Sequence, residues 1–134
     1  MNTVVYARED RLTADEYIDV VRKSGLARPI DDRPRVEQML ANANLTVTAR
    51  LDGKLVGFAR SLTDFCFCCY LSDLAVDPAC QGKGVGKQLI EETRKHAGGD
   101  KTTTLLLSAP TAVTFYQGIK MPNADNCYLY RRKA

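Results

Sequence analysis

Seven residues, Gln81-Gly82-Lys83-Gly84-Val85-Gly86-Lys87, constrain this chain more than any other segment because of what flanks them. Upstream, Tyr70 to Val76 reads as a strand that Asp77-Pro78 ends. Downstream, Val85, Leu89, Ile90, Thr93 and Ala97 recur at helical spacing, with Lys87, Glu91, Glu92, Arg94 and Lys95 on the opposite face. The glycines therefore form a strand-to-helix turn. Such a turn aims backbone N–H groups at the start of a helix, where unpaired donors and the helix dipole favour an anion. The expected ligand is a phosphate.

Spacing narrows which phosphate. A Walker A loop would need glycine at Gln81 and Ser or Thr at Gln88. A dinucleotide fingerprint would need glycine at Lys87 or at Leu89. Neither pattern fits. What fits is [Gln/Arg]-x-x-Gly-x-[Gly/Ala] after a strand ending in an apolar-Ala-Val-Asp-Pro run, and on these residues the chain resembles the GNAT superfamily of acetyl-coenzyme A dependent N-acetyltransferases. The resemblance extends over roughly residues 45 to 130. Gly53 to Arg60 is similar to the family's hairpin into its third strand, Thr103 to Ser108 to its fifth strand, and Ala112-Val113-Thr114-Phe115-Tyr116 to the helix bearing its tyrosine. Two positions depart from the pattern. The family's Tyr-x-x-x-Gly-Phe has Lys120 where glycine is usual, and Ala109 stands where Asn is frequent.

The resemblance implies a mixed α/β GNAT fold: a twisted, mostly antiparallel sheet of six to seven strands flanked by about four helices, with strands 4 and 5 splayed apart. It implies that Leu74, Ala75 and Val76 hold the pantetheine and acetyl amides, and that Gln81, Gly82, Lys83, Gly84, Val85, Gly86 and Lys87 cradle the pyrophosphate. The expected co-substrate is acetyl-coenzyme A, with no metal.

Local signals outline the remaining elements. Thr3 to Ala7 alternates as a strand, and Thr13-Ala14-Asp15-Glu16 is a capping box opening a helix that Gly25 closes. Pro34 suits the first turn of a second helix carrying Val36, Met39 and Leu40. Leu45 to Arg50 and Lys54 to Ser61 flank Leu51-Asp52-Gly53, a hairpin signal. Gly98-Gly99 stops the helix after the glycine turn, Pro110 introduces a short helix, and Cys127 to Arg131 is expected as a last strand.

With 134 residues the chain is expected to be a single domain, residues 1–134, and no apolar run approaches the ~20 residues that cross a bilayer. No secretory leader pattern opens it, so a cytoplasmic location is expected. The net charge of +3 is too small and too concentrated in Arg131-Arg132-Lys133 for a nucleic-acid stripe. Of five cysteines, Cys66, Cys68 and Cys69 cluster, but one histidine and this spacing make a poor zinc set. They read as reduced strand side chains, with Cys80 beside the glycine turn as an inert or weakly reactive thiol.

Family chemistry is direct attack of a neutral amine on the thioester. An alkylamine of pKa near ~10 is neutral about once in a thousand at pH 7, a barrier of roughly 4 kcal/mol unless a base or water removes the proton. Asp73 on the fourth strand and Asp64 before Phe65 are the candidate bases. By resemblance, Tyr116 donates a proton to the departing thiolate, and a backbone N–H of Leu74 or Val76 stabilises the oxyanion. Expected partners are acetyl-coenzyme A and an amine acceptor, with no nucleic acid and no membrane, and with homodimerisation left open. A non-catalytic acyl-coenzyme A sensor or interaction module is the alternative class.

Overall fold

The computed structural model describes residues 3–134. Five strands form one sheet in chain order: β1 (Val4–Arg8), β2 (Leu45–Leu51), β3 (Lys54–Thr63), β4 (Cys68–Val76) and β5 (Thr103–Leu105). The first four are antiparallel and β5 runs parallel to β4. Helices α1 (Ala14–Ser24) and α2 (Arg33–Asn42) connect β1 to β2, α3 (Val85–His96) connects β4 to β5, and α4 (Val113–Gly118) follows β5. Among the described residues no helix is long and apolar enough to cross a membrane.

The local signals locate these elements well. Thr13 caps α1, its hydroxyl accepting from the Glu16 amide at 3.1 Å, and Gly25 ends it at φ 78°. Asp52 and Gly53, both at positive φ, make the two-residue hairpin turn between β2 and β3 that matches the right-handed twist of the strands.

Two apolar layers cover the two faces of the sheet. On one, α3 places Val85, Leu89 and Ile90 against Leu45, Val47, Val56, Ala59, Cys69 and Leu71. On the other, Tyr17, Val20 and Val21 of α1 and Val36 of α2 pack on Leu55, Phe58 and Ala75. Period-two alternation would put Cys69, Leu71, Asp73 and Ala75 on one face, yet they divide between both. The cause is a bulge. Arg60 pairs with Asp73 and Ser61 with Leu71, so Ser72 has no partner and every later side chain of β4 changes face.

The sheet is smaller than the six to seven strands expected, and Cys127 to Arg131 forms no strand. A new strand needs an edge to pair with, and β5 offers three residues before Pro110 interrupts the chain. Tyr128 and Tyr130 stand 96% and 103% exposed instead. The segment crosses back toward α2, where Arg35 Nη2 donates to the Ala134 oxygen at 3.2 Å.

Candidate active site

The glycine turn sits where β4 runs out. Asp77 accepts from the Ala79 amide at 3.0 Å, a single helical turn covers Pro78–Cys80, and Gln81 Nε2 ties the loop back to the Val76 carbonyl at 3.0 Å. Gly82 and Gly84 take φ 78° and 80°, a region costing other residues roughly 1–2 kcal/mol. Gly84 is the residue before α3 and supplies no side-chain cap. The N–H groups of residues 82 to 87 accordingly find no protein acceptor among the described residues, and the exposed Lys83 and Lys87 have no carboxylate within 4 Å. Free donors, the start of α3 and two exposed lysines thus share one short segment, a combination that favours an anion.

Gly86 serves a different purpose. Its φ is ordinary, but an added Cβ would meet the Phe115 ring at 2.9 Å. The missing side chain lets α4 dock on the first turn of α3, and so fixes the neighbouring Tyr116.

Beyond the glycine turn lies the opening between β4 and β5. The two strands pair only from Cys68 opposite Thr103 to Tyr70 opposite Leu105. The Asp77 amide donates to Val56 of β3 at 2.8 Å, so by alternation Ala75 also turns its amide and carbonyl to β3. Leu74 and Val76 therefore turn theirs to the unpaired side. Ala75 brings no free polar group there, its side chain being buried under α1. Tyr116 of α4 is half-buried against the same apolar layer on which Leu74, Val76 and Leu106 pack, and it stacks edge-on with Phe115 at 5.0 Å between ring centroids. Burial raises its pKa against the opposing charge of Arg28, which keeps the hydroxyl protonated.

The Lys120 departure is accommodated in backbone geometry. Lys120 takes φ 59°, its amide donates to Gln117 O at 3.0 Å, and the Met121 amide donates to Tyr116 O at 3.1 Å. This pair of bonds is the Schellman ending that glycine ordinarily makes.

Asp73 occupies a setting different from the one a base requires. Its side chain is 0% exposed and accepts from Tyr17 Oη at 2.8 Å, Arg60 Nε at 2.6 Å and Arg28 Nε at 2.6 Å. Arg28 Nη2 also holds the Ser72 carbonyl at 2.7 Å, and Arg60 Nη2 the Ser72 hydroxyl at 3.1 Å, so the network clamps the bulge. Burial alone would raise the Asp73 pKa, but the hydrogen bonds and charges of Arg60 and Arg28 hold it below the usual carboxylate range. Sequence reading missed Arg28, Arg60 and Tyr17, because nothing local marks an arginine as the partner of a carboxylate 45 or 13 residues away.

Asp64 is spent on its own loop. Its Oδ1 accepts the amides of Cys68 at 3.0 Å, Cys66 at 3.0 Å and Phe67 at 2.8 Å, which together hold its pKa far below normal. The cysteine run is also redistributed: Cys69 is buried as expected, whereas Cys66 and Cys68 are exposed, and Cys80 is buried in the α3 layer. Among the described residues no three His, Cys, Asp or Glu side chains gather as metal ligands.

Comparison with known proteins places this geometry. Residues 21–119 match the family model described as an acetyltransferase (GNAT) domain. An uncharacterised N-acetyltransferase, ycf52, of Gracilaria tenuistipitata var. liui is 34% identical over 92 residues, 63% of this chain and 50% of that protein. The chloroplastic GCN5-related N-acetyltransferase 2 of Arabidopsis thaliana is 37% identical over 67 residues, 49% of this chain and 26% of that protein. The chain thus spans half or less of these relatives. Among solved structures, a probable acetyltransferase from meticillin-resistant Staphylococcus aureus superposes with a TM-score of 0.77 at 21% identity, covering 97% of this chain and 99% of the other. The aminoglycoside N-acetyltransferase AAC(6′)-Iy in complex with coenzyme A superposes at 0.70 and 17% identity, covering 100% and 97%. The family match spans most of the chain and includes the glycine turn, the unpaired edge of β4 and Tyr116: the chain belongs to the GNAT acetyltransferase family.

Proposed function

We propose that this protein is an N-acetyltransferase that carries an acetyl group from acetyl-coenzyme A to a primary amine by direct attack within a ternary complex. The observation that carries this reading is the run of unpaired N–H groups at residues 82 to 87, set at the foot of the unpaired edge of β4. Gln81 to Lys87 would hold the pyrophosphate, and Leu74 and Val76 would pair with the pantetheine arm through their backbone. The solved relative bound to coenzyme A supports that choice of co-substrate.

In this mechanism a Leu74 or Val76 amide donates to the carbonyl oxygen as it becomes an oxyanion. Tyr116 donates to the departing sulfur. Burial holds the Tyr116 hydroxyl above its ordinary pKa, which disfavours complete transfer of its proton to the sulfur. Tyr116 therefore acts as a hydrogen-bond donor in the transition state, while the proton of the attacking amine ultimately balances the thiolate. Asp73 is assigned a structural task, holding the bulge that aims Leu74. The amine loses its proton to water, and the rate should rise with pH toward the amine's own pKa.

Thiol release from acetyl-coenzyme A with a panel of amines tests the reading. The Tyr116→Phe variant should fall about 10- to 1,000-fold in turnover with little change in coenzyme affinity. Coenzyme binding with no turnover on any amine would leave the sensor class, and parental turnover by the Phe variant would exclude Tyr116 as donor.

A further inference from the structure

A cavity of about 570 Å³ lies between Tyr70 of β4 and Leu107 beyond β5 on one side and the segment from Leu129 to Ala134 on the other. Its position is informative. Tyr70 is the last β4 residue paired with β5, so the cavity opens where the two strands part. Because Cys69 and Leu71 point into the α3 layer, Tyr70 points to the opposite face, the one bearing α1 and α2. The glycine turn and the start of α3 serve the other face. If the coenzyme lies as proposed above, its thioester reaches the opening from the α3 side, and this cavity is the chamber from which an acceptor would meet it.

Every charged side chain in the lining is basic, and the oxygen of Ala134, which also borders it, is held by Arg35 at 3.2 Å. Arg131, Arg132 and Lys133 all contribute to the lining, and none has a carboxylate within 4 Å among the described residues. No Asp or Glu side chain lines it; the other walls are Tyr130, Leu129, Leu107 and Tyr70. A basic run is ordinarily a solvated surface, and on an extended segment successive side chains diverge. Here all three border one open concavity of a size suited to a small molecule. A polyamine or a lysine-rich peptide would bring further positive charge against three cations. An acceptor with an anionic group would gain charge-assisted hydrogen bonds from the guanidinium forks. The same cations also lower the pKa of a nearby amine, which raises the neutral fraction where no carboxylate is free to act as base.

We infer that the acceptor is a small amine carrying an anionic group, a carboxylate or a phosphate, held by Arg131, Arg132 and Lys133 with its amino group directed at the opening between β4 and β5. This rests on the transferase reading and names the substrate class for it.

Matched acceptors test it at saturating acetyl-coenzyme A: γ-aminobutyrate against butylamine for the carboxylate, phosphoethanolamine against ethanolamine for the phosphate, with spermidine and a lysine peptide as cationic acceptors. The anionic member of at least one pair should show about ten-fold higher kcat/KM at low salt, shrinking toward parity in high salt. An Arg131→Gln, Arg132→Gln double variant should lose that preference while calorimetry shows acetyl-coenzyme A bound as before. Equal or faster turnover of the neutral and cationic amines, or a preference that survives the double variant, would overturn the inference. Calorimetry of the same amines on coenzyme-loaded protein separates the two readings. Salt-sensitive binding of an anionic amine without turnover would retain the acceptor class and sink the transferase, and neither binding nor turnover would sink the acceptor class itself.

Discussion

Asp73→Asn removes one charge from a group without solvent exposure and leaves Arg60, whose side chain is 7% exposed, and Arg28 without their counter-ion. Asparagine has one oxygen for three donors, so its amide NH2 must face either Arg28 Nε or the pair Arg60 Nε and Tyr17 Oη. Breaking a buried pair from one side costs about 3–5 kcal/mol, a large part of a total stability of about 5–15 kcal/mol. For a domain of this size the melting temperature should fall by about 10–20 °C. The pH dependence gives a second reading. Arginine contacts depress the folded pKa of Asp73, so its contribution is complete above the unfolded value near ~4 and is lost as pH falls through the folded value. The gap between parent and variant should therefore narrow below about pH 4. Urea unfolding at stepped pH measures both, with an unchanged m-value as control. A variant within about 1 kcal/mol of the parent at pH 7 would refute the clamp, since a buried pair cannot be broken so cheaply. A stable variant whose turnover vanishes together with a carboxylate inflection in the pH–rate profile would restore Asp73 as the base.

Gly86→Val should cost about 1–3 kcal/mol by driving Phe115 off α3, and Phe115→Leu should relieve it; Gly84→Val, strained in backbone φ with open space around it, should not be relieved. Thermal melts of the parent, the three single variants and the two double variants decide this, and a Gly86→Val protein as stable as the parent would remove the proposed docking contact. Lys120→Gly should stabilise by about 1 kcal/mol, because glycine takes φ 59° without the Cβ penalty. A lowered denaturant midpoint would show that Lys120 contributes something its backbone conformation does not reveal.

Much of the site was legible because its signals are local. A glycine at positive φ before a helix, a Thr-x-x-Glu cap and an Asp-Gly turn each declare a backbone geometry within four residues, and each formed where expected. The missing last strand was not legible in the same way. Cys127 to Arg131 has the aromatic and apolar composition of a strand, but a strand is half of a pair, and whether β5 would offer enough edge depends on where the chain around Pro110 turns.

By itself, then, the sequence determined the strand-to-helix turn, the hairpin and the helix boundaries. Those follow from φ preferences, capping and periodicity, which act over short spans. Only the tertiary structure decided what Asp73 does. One unpaired residue, Ser72, moves Asp73 to the α1 face, where Tyr17 comes from 56 residues away and Arg28 from 45. The charge of a buried carboxylate is governed by the groups that packing brings within about 3 Å of it. Tertiary packing also set the tail along the mouth of the cavity, since residues with no strand to join settle on whatever surface the packed elements leave for them.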